Sequence, residues 1–211
     1  MRSTPTVVSA QVPNLLTSTA PVDFWVWVNP DNWLVRHQIT VTGGFTSGGL
    51  IEPKKSNLMF IPNPEFRGEL TPFQHGVMRD YMAEYNLELA RLRSFNEYPS
   101  RLNAIYLFPN EEEAHKYSAR HKWHVGDRIL NKCRSVSPCV YSVHDSSWVD
   151  FMRLTHSVDA NSLDLIGKAY WSGGYVEQVR LESLGQPWTQ APILEALFIG
   201  RVEFYDRKLE R

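Results

Sequence analysis

The sequence predicts a single α+β domain, with a split and largely antiparallel sheet flanked by helices. Three observations predict it: strand-like and helix-like segments are mixed without regular alternation, no Gly-rich phosphate loop follows a strand, and the 211 residues suffice for one hydrophobic core. We expect residues 1–22 to form a flexible N-terminal arm, because they are rich in Ser, Thr and Pro, and residues 23–211 to form the domain.

The composition excludes several classes of protein. The chain is 43% hydrophobic and 21% charged with a formal net charge of -1, so no overall field favours nucleic acid or a membrane surface. The cysteines, Cys133 and Cys139, form neither a disulfide framework nor a metal-binding spacing. No apolar run reaches the roughly 18 residues that span a bilayer, and no secretory signal core is present. We therefore expect a cytoplasmic protein without a metal or a membrane partner, and delivery into a host cytoplasm stays open.

The first half of the chain carries one strong strand signal and one strong helix signal. Asp23–Val28 is dense in aromatic and β-branched residues, which predicts a strand. Trp33–Thr42 follows as an extended segment or a short helix that enters a strand, and prolines make residues 52–71 irregular. Pro72–Ser94 is the clearest helix, because Thr71 can cap it and apolar residues recur at helical spacing.

The second half adds shorter elements around one well-capped helix. Leu102–Phe108 predicts a strand. Asn110 is a good N-cap for a helix that runs to about Lys122, and Glu113 completes a capping box. The remaining elements are strands within residues 126–156, among them Trp148–Leu154, a helix over Asp159–Trp171, and one or two strands over Pro192–Tyr205.

Two tyrosines flank the turn between the predicted strand and the capped helix. Tyr106 lies on the strand and Tyr117 on the helix, with ten residues between them. If the helix folds back beside the strand, both rings face one cleft. A pair of phenol rings can sandwich a flat heteroaromatic ring, and a cationic ring adds cation–π attraction. Packing of both tyrosines in the core is the alternative.

A second candidate segment runs from Arg36 through His37 to Thr40, and glycine pairs follow it. On a strand, an Arg or a His can bond a ribose hydroxyl or a phosphate, and Arg can do so through two donors. The glycines let the backbone approach a ligand closely. A solitary His is more often structural, so this segment gains its weight from the other two.

The third candidate is Glu195, a carboxylate inside the apolar run Ile193–Phe198. Glutamate is rarely buried without a partner or a task. At the mouth of a cleft, an ionised Glu can bond a ribose hydroxyl and stabilise an oxocarbenium-like transition state. An exposed Glu on an edge strand is the alternative, and Glu203 is the rival carboxylate.

Together these segments resemble the His–Tyr–Glu pattern of the ADP-ribosyltransferase superfamily. The match consists of His37 on an expected strand, Tyr106 followed by Tyr117, and the late Glu195. The run RHQIT…GGLIEP is similar to the start of the DNA-modifying DarT-type toxins, and YPSRLNAIYLFPNEEEAHKY, AYWSGG and ILEALFIGRVEF resemble an uncharacterised bacterial family of that superfamily. The likeness covers most of residues 24–205 at few positions.

The resemblance implies an ADP-ribosyltransferase-like fold that clasps NAD as its substrate and uses no metal. In it, His37 holds the adenosine-side ribose, Tyr106 and Tyr117 frame the nicotinamide, and Glu195 assists the loss of nicotinamide. The implied activity is mono-ADP-ribosyl transfer to a macromolecular acceptor, protein or nucleic acid. Such a protein would be toxin-like and belong to a bacterium or a phage.

The expected catalytic residues are therefore His37, Tyr106 and Glu195. Arg36 and Thr40, next to His37 in the chain, are expected to help bind NAD. From their position and charge, Ser100 and Arg101 before the strand of Tyr106 are expected to contact phosphate.

Several alternatives stay open. Gln38 stands where many relatives carry Gly after the His, and a residue of Phe24–Val28, which contains no His or Arg, can hold the first motif position instead of His37. The basic stretch His115–Arg134, with Trp123, can contact nucleic-acid phosphates or form a solvated face. The protein is then a non-catalytic NAD- or nucleic-acid-binding module, or an interaction protein whose partner surface is the arm and the first strand.

Overall fold

The computed structural model describes residues 14–51, 72–154, 160–178, 188–207 and 209. Its strands are β1 (Leu15–Ser18), β2 (Asp23–Val28), β3 (Gly44–Thr46), β4 (Ile105–Leu107), β5 (Ile129–Asp145) and β6 (Leu194–Phe204). Its α-helices are α1 (Trp33–His37), α2 (Gly48–Ile51), α3 (Pro72–Ser94), α4 (Glu111–Arg120), α5 (Lys122–Val125), α6 (Ser147–Leu154) and α7 (Ala160–Trp171). A π-helical turn spans Gln38–Thr42 and a 3-10 turn spans Val176–Gln178.

All the strands of the described residues belong to one six-stranded sheet built around β5 and β6. These two long strands pair antiparallel, with a bulge in β5 between Val136 and Val140. β1 and β2 pair antiparallel with β5, and β3 and β4 pair antiparallel with β6. The expectation of an α+β fold with a largely antiparallel sheet and flanking helices is confirmed.

The two faces of the sheet bury different clusters. Successive side chains of a strand point to opposite faces, so Leu197 joins a core formed by helices α3, α6 and α7, whereas Phe198 joins a second core on the other face. The helical core contains the fully buried rings of Trp148 and Trp171. The cavity described below lies on the helical side of the sheet.

Part of the segment expected to be a flexible arm belongs to the sheet. Leu15–Ser18 pairs with β5, and the Asn14 amide donates hydrogen bonds to the carbonyl oxygens of Val143 at 3.2 Å and Trp171 at 3.1 Å. Residues 14–18 are therefore tied to the domain by backbone pairing that the polar composition did not indicate. The rest of that arm, residues 1–13, lies outside the described residues, as does the expected irregular stretch 52–71.

Two segments with an ambiguous or strand-like signal are helical in the structure. Of the two alternatives for Trp33–Thr42, the short helix is correct for Trp33–His37, because the Asn32 side chain caps it, accepting hydrogen bonds from the backbone of Leu34 and Val35. Trp148–Leu154, expected to be extended, belongs to α6, whose Trp148, Val149 and Met152 form one buried helical face. Its apolar run suits either a strand or a helix, and packing against α3 selects the helix.

Helix α7 crosses α3 at a close approach between Gly167 and Ala90. A methyl group at position 167 would lie 2.4 Å from the Cβ of Ala90, which is far inside van der Waals contact. Gly167 therefore sets the spacing of α3 and α7, the two helices that cover the helical core.

Gly167→Ala is expected to lower the free energy of unfolding by about 1–3 kcal/mol, because overpacking outweighs the gain in helix propensity. Ala90→Gly in the same chain vacates the space, so chemical denaturation of the two single variants and the double variant should reveal favourable coupling. Effects that simply add would contradict the close approach.

Candidate functional site

A cavity of about 520 Å³ lies between strands β2, β4 and β6 and helices α3 to α6. This volume falls within the roughly 300–1,000 Å³ of small-molecule sites. The charged residues that line it are Glu84, Arg101, Arg128, Asp150, Arg153 and Glu195. Among the described residues, no group of His, Cys, Asp and Glu side chains is arranged to hold a metal ion.

Tyr106 and Tyr117 both line this cavity. Tyr106 lies on β4, opposite Leu197 of β6; the residue is 41% exposed, and its hydroxyl donates a hydrogen bond to the Arg101 carbonyl oxygen. Tyr117 lies on α4, where Asn110 caps the helix through the backbone of Glu113. Burial, together with the negative charges of Glu195 and Asp150, raises the pKa of Tyr117 to about 12. Burial also raises the pKa of Tyr106, so both phenols are neutral at physiological pH.

Glu195 forms the floor of the cavity in a buried ion cluster. Its carboxylate accepts hydrogen bonds from the Arg101 guanidinium and from the Tyr170 hydroxyl, the latter at 3.0 Å. Arg101 also donates to both carboxylate oxygens of Glu84, at 2.6 and 3.0 Å. Burial raises the pKa of Glu195, and the positive charge of Arg101 opposes this shift. Desolvation disfavours the charged form of Arg101, but Glu195 and Glu84 hold its pKa well above the usual value.

His144 supports this cluster from beneath. It lies opposite Glu195 in the β5–β6 pairing and stacks on Tyr170, with ring centroids 4.4 Å apart. Its Nδ1 is 2.9 Å from the Tyr170 carbonyl oxygen and its Nε2 is 2.7 Å from Ser142 Oγ. Burial lowers the pKa of His144 to about 3, so the ring is neutral, with Nδ1–H donating to the carbonyl. His144 thereby fixes the ring of Tyr170 beside Glu195.

The wall of the cavity around α5 and α6 carries further ionisable side chains. His121 Nε2 lies 3.1 Å from Asp150 Oδ2, a distance typical of an ion pair, although the N–H direction does not meet hydrogen-bond geometry. The His121 ring packs on Tyr117 at 4.4 Å between centroids. His124 and Arg128 complete this wall. It brings part of the basic stretch noted in the sequence to the cavity.

The segment expected to carry the motif His does not reach this cavity. His37 is exposed at the end of helix α1, and the strand expected there is wrong because the Asn32 cap starts a helix. Arg36 and Thr40 are also exposed, and neither lines the cavity; Thr40 Oγ1 donates to the Arg36 carbonyl oxygen at 2.8 Å. Strand β2 reaches the cavity instead, through Val26 and Trp27.

Ser100 also lies away from the cavity. It is buried, and its hydroxyl donates to Glu88 Oε2 at 2.9 Å. The same carboxylate receives the Arg91 guanidinium at 2.8 and 3.0 Å. Ser100 therefore completes a structural network and does not line the cavity, so the geometry gives no support to the expected phosphate contact. Arg101 does line the cavity, but its charge is already shared by Glu84 and Glu195.

Several residues of the site escaped the sequence analysis. Glu84 carries a signal in retrospect, because it belongs to a 23-residue helix whose Leu87 and neighbouring Glu88 are buried. A carboxylate near the apolar stripe of a long helix indicates a buried cation nearby, because burying an unpaired charge is costly. Nothing in the local sequence distinguishes Tyr170 from an ordinary core aromatic, since its role depends on a carboxylate 25 residues later.

Residues 61–187, more than half of the chain, match the family described as "Protein of unknown function (DUF2441)". The protein belongs to this family. The comparison with curated proteins gives no match. Among the described residues, no helix is long and apolar enough to cross a membrane.

Arg101→Met is expected to lower the free energy of unfolding by about 3–5 kcal/mol, because Glu84 and Glu195 lose their buried counter-charge. Lys168→Met is the matched control: it breaks an exposed pair with Asp164 on α7, for which a loss below about 1 kcal/mol is expected. Urea denaturation measures both. A loss for Arg101→Met no larger than that of the control would show that the cluster is not holding the fold.

The stability of the protein is expected to fall on acidification through His144. The folded-state pKa of about 3 lies below the ordinary value of 6.5, so the unfolded chain binds a proton that the folded chain does not. The contribution of neutral His144 is complete above pH 6.5 and is lost progressively toward pH 3.

Unfolding free energies of wild type and His144→Gln, measured from pH 7 to pH 4, should therefore diverge in slope. The wild type should carry up to about 1.4 kcal/mol per pH unit more acid sensitivity than the variant. Parallel curves would mean that His144 titrates normally in the folded protein.

Proposed function

We propose that the cavity binds NAD and that the protein is an ADP-ribosyltransferase, which cleaves the nicotinamide–ribose bond and transfers ADP-ribose to a macromolecular acceptor. The observation that carries the proposal is that Tyr106, Tyr117 and Glu195, remote in sequence, border one cavity of suitable size. The largely antiparallel sheet with flanking helices is compatible with an ADP-ribosyltransferase-like fold.

The aromatic rings at the cavity suit a cationic nicotinamide. Near Tyr106 the charges balance, because Glu84 and Glu195 face Arg101 and Arg153. A cationic ring beside Tyr106 and Tyr117 gains stacking and cation–π attraction. As the ring leaves, positive charge develops on the ribose, and the Glu195 carboxylate can stabilise it.

Binding without turnover is the second candidate, and two observations favour it. The Glu195 carboxylate is already occupied by Arg101 and Tyr170. The residues of β2 that line the cavity are Val26 and Trp27. Strand β2 therefore offers neither a His nor an Arg that could hold a ribose. The same pocket would then recognise NAD or a related nucleotide without breaking the glycosidic bond.

The decisive measurement is nicotinamide release from NAD by the full-length protein. Glu195→Gln is expected to lower the rate by about 10²–10³-fold, because the transition state loses a negative charge. Glu203→Gln is the matched control on the same strand, since Glu203 is exposed and outside the cavity. It should retain the wild-type rate.

Thermal unfolding with and without NAD separates the two candidates. A rise in the melting temperature with NAD, without nicotinamide release by the wild type, would replace the enzyme by the binding module. Absence of both effects would remove NAD from the proposal altogether. Equal rates for the two glutamate variants would show that Glu195 does not act in the reaction.

A further inference from the structure

The cavity lining carries three arginines and three carboxylates, so its formal charges balance. Arg101 is held between Glu84 and Glu195. The other two arginines are Arg128, which lies between α5 and β5, and Arg153 of α6. The three arginines differ in how completely carboxylates neutralise them.

The cationic groups of the cavity wall are close enough to interact. Partial desolvation, followed by the positive charges of Arg128, His121 and Arg153, lowers the pKa of His124. The same two arginines also act on the phenol of Tyr117, which lines the cavity with them. Like charges held together at a cavity wall repel one another, and an anion between them would relieve that repulsion.

The nearby carboxylates neutralise these cationic groups only in part. Asp150 is paired with His121 at 3.1 Å, and Arg153 approaches Glu84 at 3.9 Å, the limit of an ion pair. Within the described part of the chain, no carboxylate forms a salt bridge with Arg128. Arg128 thus retains a guanidinium with free donors at the cavity wall.

We propose that Arg128 and Arg153, assisted by His124, bind the phosphate groups of a nucleoside diphosphate moiety. The identity of the ligand rests on the proposed function, in which NAD supplies that moiety. A guanidinium binds phosphate through paired N–H donors, and unlike Arg101 these arginines are not saturated by carboxylates. The nicotinamide then lies beside Tyr106 and Tyr117, as in the proposed function.

Isothermal titration of the full chain with ADP, inorganic pyrophosphate and adenosine tests the site directly. ADP should bind about tenfold or more tightly than adenosine, which lacks phosphate, and pyrophosphate should compete with ADP. Arg128→Gln should weaken ADP binding about tenfold or more, with adenosine binding unchanged. Arg153→Gln serves as a second variant at the same wall and should act in the same direction.

Arg36→Gln is the matched control, because Arg36 is an exposed arginine outside the cavity. It should leave ADP affinity within about twofold of the wild type. The unliganded variants should share the melting temperature of the wild type, which separates loss of the site from loss of the fold. If Arg128→Gln melts at a lower temperature, the ADP affinity of Arg153→Gln tests the site instead.

Three outcomes would overturn the assignment. The first is equal affinity for ADP and adenosine, and the second is wild-type affinity for ADP in both Arg128→Gln and Arg153→Gln. The third is a short single-stranded oligonucleotide whose binding depends on Arg128 while ADP binding does not. The last would make nucleic-acid backbone the source of phosphate. Nicotinamide release with ADP binding independent of these arginines would leave the proposed enzyme standing without this site. Arg128-dependent ADP binding without nicotinamide release would leave the site standing and the enzyme refuted.

Discussion

One buried guanidinium joins the layers of this domain. Arg101 bonds Glu84 from helix α3, Glu195 from strand β6 and Tyr170 from helix α7, while its backbone carbonyl receives the hydroxyl of Tyr106 from β4. Taking such charges out of water is costly, and the cost is offset only when each partner is present and well placed. The helical layer must therefore dock on the sheet in one arrangement, which also defines the floor of the cavity.

The same constraint shapes the chemistry of the cavity. Glu84 and Glu195 share Arg101, Arg153 also approaches Glu84 at 3.9 Å, and Arg128 forms no salt bridge with a carboxylate among the described residues. His144 remains neutral beneath Tyr170, so it adds no charge to the cluster while it holds that ring in place. A cavity lined by aromatic rings and by an arginine without a carboxylate partner suits the proposed ligand, which has a cationic ring and phosphates. This match connects the proposed nicotinamide and phosphate positions.

Much of the architecture follows from local sequence. The aromatic strand β2, the long helix α3 and the capped helix α4 lie where apolar periodicity and the Asn110 cap predicted them. Segments whose local signal is ambiguous were decided by their surroundings. Trp148–Leu154 is apolar enough for a strand, but its packing against α3 makes it a helix, and Leu15–Ser18 becomes a strand because β5 offers it an edge.

By itself, the sequence determined which residue types were available, and it predicted that two phenols and a late carboxylate, at 106, 117 and 195, face one cleft; in the structure all three line one cavity. It could not determine which charges meet. The partners of Arg101 are 17 and 94 residues away along the chain, and the exclusion of His37 depends on a local cap that turns an expected strand into an exposed helix. Such pairings depend on how the sheet and helices pack, because an ion pair is specified by distance in space, which local patterns of polarity do not encode.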